Sequence, residues 1–206
     1  MLSDAVRRLP VYDENALDAV LSRMASQAAQ LLRGSERPTV VGILRRGVPL
    51  ADRLSVRLRR DHGIDEIGRL NLAIKRYADD LSLLYPDTQL VEDPAYAALD
   101  LAGHTLLVVD DVLFAGHSLV RALQYLAGKY PRAIRSAVLV DRCTATLPVR
   151  ADVTGVRLEV APGDIVECHV PPFEDEFKIE LVSRAEGQGW PVRARLFPAE
   201  MEFRVF

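Results

Sequence analysis

The feature that most constrains the fold is the run TLLVVDDVLFAGHS over residues 105–118. Its first five residues are apolar or β-branched, a pattern typical of a strand that is buried on both faces. This strand is predicted to end at the adjacent carboxylates Asp110 and Asp111, and Gly116 follows in a short loop. Ser118 is a suitable N-cap for the apolar-periodic segment after it. The sequence therefore predicts a strand, an acidic pair, a glycine loop and a helix in succession.

This succession is typical of a binding site for a sugar phosphate. In an open α/β sheet, ligands bind at the carboxyl ends of the strands, and a helix N-terminus offers free N–H groups to a phosphate. Carboxylates repel phosphate oxygens, but they accept hydrogen bonds from sugar hydroxyls and help to hold hydrated Mg²⁺. Asp110 and Asp111 therefore indicate a sugar next to the phosphate.

A second predicted strand ends in a similar way. Residues 39–44 form a buried strand that leads into Arg45, Arg46 and Gly47, and a helix is predicted to start at Pro49. Backbone N–H groups and a guanidinium at such a turn can bind a diphosphate. An Arg-Arg-Gly turn alone is more often a solvated loop, so the functional interpretation depends on its pairing with the acidic motif.

Residues 108–118, VVDDVLFAGHS, resemble the phosphoribosyl pyrophosphate (PRPP) motif of type I phosphoribosyltransferases, which reads V-V-D-D-V-x-x-T-G-x-T. Three further segments, residues 41–54, 77–82 and 137–152, are similar to those of a narrower family. Its members are both attenuation regulators of pyrimidine operons and uracil phosphoribosyltransferases. The segments occur in the order and at about the spacing of that family.

The resemblance implies an α/β protein with the type I phosphoribosyltransferase fold, in which helices flank a mainly parallel central sheet beside a small hood and a flexible lid loop. The phosphoribosyltransferase domain would cover residues 1–182, with the lid at about 76–100. The hood would cover about 142–182 with N-terminal contributions. Residues 183–206 lie outside the resemblance, and the partial alternation of apolar residues over 190–206 predicts a C-terminal arm, either an extra strand or a dimer contact.

The implied reaction is transfer of the 5-phosphoribosyl group from PRPP to a nucleobase, with uracil as the base and UMP and pyrophosphate as products. Mg²⁺ would bind through PRPP and indirectly through Asp110 and Asp111. The implied site residues are, for catalysis, Asp110 and Asp111; for the 5′-phosphate, Phe114, Ala115, Gly116, His117 and Ser118; for the pyrophosphate, Arg45, Arg46 and Gly47; for the lid, Arg76, Tyr77, Asp79 and Asp80; and for the base, Val112, Leu113, Asp141 and Arg142.

Two positions depart from the family pattern. Ala78 stands where a lid arginine is expected, and Lys75 or Arg76 would replace it only through a shift in register. Ala115 stands where the family has a threonine whose hydroxyl reaches the 5′-phosphate. These departures favour an alternative function, a PRPP- or nucleotide-binding regulator of pyrimidine genes with weak turnover.

Two local interpretations stay open. His117 either covers the phosphate loop or titrates beside the phosphate. Asp141 and Arg142 either shape the base site or form an ion pair that closes the end of a strand.

Binding to RNA is not expected. Residues 13–32 predict an amphipathic helix capped by Asp13 or Asn15, and this helix is read as structural rather than RNA-facing. RNA-binding relatives have a Gly-His-Arg-Glu run where this chain has Cys-Thr-Ala-Thr at residues 143–146. The net charge of −3 adds no overall attraction to RNA. By resemblance, the expected assembly is a homodimer or a higher homo-oligomer.

The length and composition fit one α/β domain. A chain of 206 residues holds one substantial core. No apolar run approaches the roughly 20 residues of a membrane span, and the N-terminus lacks an apolar signal core. We therefore expect a cytoplasmic protein without a membrane partner, in which Cys143 and Cys168 are reduced thiols.

Overall fold

Three helices and ten strands make up the part of the chain that the computed structural model describes, which is residues 6–75, 89–91, 99–161, 163–184 and 195–196. In chain order they are β1 (Val6–Tyr12), α1 (Glu14–Leu32), β2 (Arg37–Ile43), α2 (Gly47–His62), β3 (Gly68–Lys75), β4 (Gln89–Val91), β5 (His104–Leu113), α3 (His117–Ala127), β6 (Ala133–Asp141), β7 (Val153–Glu159), β8 (Ile165–His169), β9 (Lys178–Arg184) and β10 (Arg195–Leu196).

Seven strands form the main sheet, in the order β10-β7-β6-β5-β2-β3-β4. The five from β7 to β3 run parallel, whereas β10 and β4 pair antiparallel at the two edges. Strand β5 lies at the centre between β2 and β6, and its Val109 is opposite Gly42 of β2. The loops after β2 and β5 therefore leave the same edge of the sheet side by side.

Helices cover both faces of this sheet. Along β5, Leu107 and Val109 contact the core cluster that includes α1 and α2, whereas Leu106 and Val108 contact the cluster that includes α3. All four side chains are fully buried. This burial on both faces explains why the strand reads as a continuous apolar run. The α/β architecture with a mainly parallel sheet is confirmed.

A second, smaller sheet is antiparallel, with the order β1-β9-β8. Strands β8 and β9 lie largely in the range predicted for the hood, but β7, in the same range, joins the main sheet through β6. The hood as a unit stays a prediction. The small sheet places the turn between β8 and β9 beside the loop after β2, because Glu174 in that turn contacts Arg46.

The ends of the predicted segments differ in detail. Helix α1 begins after Asp13, whose carboxylate accepts the Ala16 N–H at 2.9 Å, so Asp13 rather than Asn15 is the cap. Strand β4 lies inside the predicted lid, and most of that lid lies outside the described residues. Strand β10 adds two residues of the predicted arm to β7. The dimer contact stays a prediction. None of the described helices has the length and apolar character needed to span a bilayer.

Candidate functional site

The acidic pair lies inside strand β5 rather than beyond its end. The strand was predicted to stop at Asp110, but it continues to Leu113 because it keeps pairing with β6, with Leu113 opposite Asp141. Asp110 and Asp111 are 3% and 8% exposed. The Asp111 N–H donates to the Asp110 carboxylate at 2.9 Å. The two carboxylates thus lie close together near the carboxyl end of the central strand.

The glycine loop after β5 ends at Gly116, which is the N-cap of α3 and has φ +93°. The prediction that Ser118 caps this helix is wrong, because Ser118 lies in the first helical turn. The positive φ favours glycine at residue 116, and a Cβ there would approach Val149 Cγ1 to 2.6 Å, so the Val149 side chain would also have to move. Among the described residues no side chain caps α3. The N–H groups of its first turn can therefore serve an anion.

Backbone contacts from another segment hold this loop in place. The Ala115 carbonyl accepts the N–H of Thr146 at 3.2 Å and that of Leu147 at 3.4 Å. The Thr146 hydroxyl also donates to it at 3.3 Å. All of these contacts use the main-chain carbonyl of Ala115, so they do not depend on the side chain at position 115.

The loop after β2 packs directly against the acidic strand. A Cβ on Gly47 would lie 2.4 Å from the Val109 carbonyl oxygen and 3.2 Å from Asp110 Cα, so only glycine allows this approach. Arg46 is the N-cap residue of α2, and no side chain of the described residues caps that helix. The helix begins at Gly47, two residues before the predicted Pro49. A second uncapped helix N-terminus therefore faces the same edge of the sheet.

The Arg46 guanidinium lies between two carboxylates. Its Nε and Nη2 donate to Glu174 Oε1 at 3.0 and 2.6 Å, and its Nη1 is 3.9 Å from Asp111 Oδ2. The hydrogen bond to Glu174 raises the pKa of Arg46. Burial alone would raise the pKa of Glu174, but hydrogen bonds from Arg46 and from the Val170 N–H bring it below its usual value. Both groups are therefore ionised at neutral pH.

The four residues predicted for the base site lie together at the ends of β5 and β6. Leu113 pairs with Asp141, and the Leu113 carbonyl accepts the Arg142 N–H at 3.0 Å. The Arg142 guanidinium lies 4.4 Å from the centre of the Phe114 ring and donates to the Asp164 carbonyl at 2.8 Å.

Arg142 and Asp141, both described, do not pair with each other. The Asp141 carboxylate accepts the Cys143 N–H at 2.8 Å instead, so the alternative of an ion pair at this strand end is wrong. Arg142 is 6% exposed, and burial lowers its pKa. Its Nε has no hydrogen-bond partner among the described residues. A buried, ordered cation thus lies behind the exposed Phe114 ring.

Cys168 of β8 lies behind the acidic pair and is fully buried. Burial raises the pKa of its thiol well above the usual value, and the negative charge of Asp111 acts in the same direction. The thiol is therefore neutral and belongs to the core beneath the site.

The structure thus brings together the predicted acidic pair, phosphate loop, arginine loop and base residues. The predicted lid residues Arg76, Tyr77, Asp79 and Asp80 lie outside the described residues. Sequence reasoning missed Glu174 and also Phe173, whose ring lies 5.1 Å from the Arg45 guanidinium. No motif marks these residues, since the turn that contains them reads only as a proline-rich connection.

Known proteins are similar to this chain in sequence. A family model described as the phosphoribosyl transferase domain matches residues 11–176. A protein named bifunctional protein PyrR from Trichormus variabilis is 33% identical over 185 residues, which are 88% of this chain and 99% of that protein. The protein of the same name from Deinococcus radiodurans is 33% identical over 173 residues, 83% of this chain and 92% of that protein.

Solved structures give the same result for the fold. The hypoxanthine phosphoribosyltransferase of Trypanosoma cruzi has a TM-score of 0.66 at 15% sequence identity and covers 85% of this chain and 95% of that one. At this identity the likeness concerns the fold alone, and it confirms the predicted type I phosphoribosyltransferase fold. Together with the family match and the PyrR relatives, it shows that this chain belongs to the phosphoribosyltransferase family, within the group of proteins similar to PyrR.

Proposed function

We propose that this protein transfers the 5-phosphoribosyl group of PRPP to uracil, giving UMP and pyrophosphate. One observation carries the proposal: the Arg46 guanidinium, at the uncapped start of α2, lies 3.9 Å from the buried carboxylate of Asp111. The uncapped start of α3 follows the same strand. A site with a cation, two carboxylates and two helix N-termini suits a sugar that carries phosphates at two positions.

The reaction exchanges one bond at ribose C1. As the bond from C1 to the diphosphate oxygen breaks, positive charge develops on the ribose ring and negative charge on the departing pyrophosphate. A nitrogen of the base forms the new bond to C1, and the proton of that nitrogen leaves to the pyrophosphate or to solvent. Arg46 and the N–H groups at the start of α2 would stabilise the leaving group. Asp110 and Asp111 would hold the ribose hydroxyls, and residues 114–118 the 5′-phosphate. The predicted lid would exclude water.

The residues present suit Mg²⁺. Asp110 and Asp111 offer hard carboxylate oxygens, and both are buried where Gly47 packs closely against β5. They would hold the hydrated ion indirectly, together with oxygens of PRPP. When bound, Mg²⁺ neutralises part of the charge of the diphosphate.

The choice of uracil comes from the sequence resemblance to the pyrimidine regulators and is supported by the similarity to PyrR proteins. The base would lie near Val112, Leu113, Asp141 and Arg142, with the Phe114 ring beside it. A purine or orotate is the narrower alternative within the same reaction class.

The test is PRPP consumption with Mg²⁺ in parallel reactions that contain uracil, orotate, hypoxanthine, guanine, adenine or no base. Pyrophosphate release and the nucleotide product are both measured. We expect UMP only in the reaction with uracil. Product with a different base would refute the uracil assignment, and pyrophosphate release without any base would indicate hydrolysis instead of transfer.

A second candidate is a protein that binds PRPP or UMP without efficient turnover. Ala78 and Ala115 together motivate it, because they lack the lid arginine and the 5′-phosphate hydroxyl of the family pattern. This function predicts that PRPP or UMP raises the melting temperature while no base yields product. The two measurements together distinguish an enzyme from a binding protein.

A further inference from the structure

The turn between β8 and β9 contacts both arginines of the predicted diphosphate loop. Glu174 accepts two hydrogen bonds from Arg46, and the Phe173 ring lies 5.1 Å from the Arg45 guanidinium. These contacts join the small antiparallel sheet to the main sheet at the proposed site. The motif that predicts the arginine loop contains no residue of this turn.

Glu174 is itself held in place. Its second oxygen, Oε2, accepts the Val170 N–H at 2.8 Å, while Oε1 accepts from Arg46. Both oxygens are therefore engaged, one by the backbone of its own turn and one by the arginine. A carboxylate fixed in this way restricts the rotamer of the side chain that it binds.

The contact leaves one end of the guanidinium for a ligand. Glu174 occupies Nε and one hydrogen of Nη2, whereas Nη1 faces Asp111 Oδ2 at 3.9 Å, which is too long for a hydrogen bond. The Arg46 side chain is 39% exposed, so solvent and ligands reach it. Nη1 is therefore open to a ligand that lies beside Asp111.

We propose that Glu174 is a positioning residue: it fixes the Arg46 guanidinium so that Nη1 is directed toward the diphosphate beside Asp111. This inference rests on the proposed function. Without Glu174, Arg46 would have to be ordered when the ligand binds, which weakens diphosphate affinity by about three- to tenfold. The direction of the change in diphosphate affinity distinguishes positioning from simple electrostatics, because removal of a negative charge beside Arg46 would by itself tighten the binding of an anion.

The experiment measures binding of Mg²⁺–pyrophosphate and of UMP by calorimetry to the full chain and to five variants. Glu174→Ala should weaken pyrophosphate binding about three- to tenfold and leave UMP binding unchanged, since UMP lacks the diphosphate. Glu174→Gln keeps an oxygen acceptor and should restore part of the affinity. Glu176→Gln is the matched control, because it removes a charge from the same turn. In the described structure Glu176 pairs only with Lys178, so this variant should change neither the pyrophosphate affinity nor the UMP affinity.

The fourth and fifth variants, Arg46→Ala and the double variant with Arg46→Ala and Glu174→Ala, test whether Glu174 acts through Arg46. Pyrophosphate affinity in Arg46→Ala should not fall further when Glu174→Ala is added. Unchanged or tighter pyrophosphate binding in Glu174→Ala would overturn the positioning role, and tighter binding would identify Glu174 as a competitor of the ligand. If the unaltered chain binds UMP but the two Glu174 variants lose UMP as well, the residue is merely structural. If the unaltered chain binds neither Mg²⁺–pyrophosphate nor UMP, the proposed function itself is refuted.

Discussion

Substitution of Gly47 by alanine tests whether the arginine loop must touch the acidic strand. A Cβ at position 47 would lie 2.4 Å from the Val109 carbonyl oxygen, and real Cβ atoms stay at least 3.0 Å away. The loop would therefore have to move by about 0.6 Å or more, because β5 is the central strand and is paired on both sides.

We expect two effects of Gly47→Ala. Overpacking of this kind lowers the free energy of unfolding by about 1–3 kcal/mol. For a chain of this size, that corresponds to a fall of roughly 2–12 °C in the melting temperature. Arg46 moves with the loop, and loss of one charged hydrogen bond is worth about 1.5–3 kcal/mol. Affinity for Mg²⁺–pyrophosphate should therefore fall by at least about tenfold.

Gly155→Ala is the matched control. A Cβ there would lie 2.5 Å from the Leu139 carbonyl oxygen and 2.8 Å from Met24 Sδ, a similar clash on the face that packs against α1. This variant should lose comparable stability in thermal unfolding and keep its pyrophosphate affinity in calorimetry. Equal pyrophosphate binding by Gly47→Ala and the unaltered chain would refute the argument that the loop binds diphosphate from this position.

Three further predictions concern Asp111, Glu174 and the two cysteines. Asp111→Asn should weaken PRPP binding in the presence of Mg²⁺ by about tenfold or more, and unchanged affinity in calorimetry would count against its role. Burial acts to raise the pKa of Glu174, but hydrogen bonds from Arg46 and the Val170 N–H bring it below 4.5. The stability from ionised Glu174 is thus fully present above pH 4.5 and is lost as the pH falls further, so Glu174→Gln should show a smaller drop in melting temperature between about pH 5 and pH 3. A thiol reagent should modify the exposed Cys143 in the native protein and the buried Cys168 only after unfolding; equal rates would contradict the burial of Cys168.

Local patterns predicted much of the site. Periodicity located β2, β5 and α3, and the glycine loop followed from Gly116. The errors arose where tertiary pairing or backbone conformation outweighed local preference. Charge normally ends a buried strand, yet pairing with β6 carries β5 past Asp111 to Leu113. Serine is a preferred N-cap, yet α3 already begins at His117, with Gly116 as its N-cap residue, so Ser118 lies inside the helix.

Contacts between distant segments could not be predicted. Sheet order places β2 beside β5, and this neighbourhood brings Arg46 to Asp111. Glu174 is separated from Arg46 by 128 positions in the chain. In the sequence it is one of three consecutive acidic residues, and nothing distinguishes it from Asp175 or Glu176. Only the packing of the small sheet against the main sheet selects it.

The shape of the phosphate loop decides how much weight Ala115 should carry against catalysis. The phosphate loop is shaped by the positive φ of Gly116 and by the N–H groups of Thr146 and Leu147 on the Ala115 carbonyl, and none of these needs a side chain at position 115. Replacement of threonine by alanine therefore removes one hydroxyl donor and leaves the backbone cradle intact. A hydrogen bond from a hydroxyl to an ionised phosphate is worth about 1.5–3 kcal/mol, or roughly 10- to 150-fold in affinity. A loss of this size weakens PRPP binding without removing any group that stabilises the departing pyrophosphate, so Ala115 alone does not favour a binding protein over a phosphoribosyltransferase.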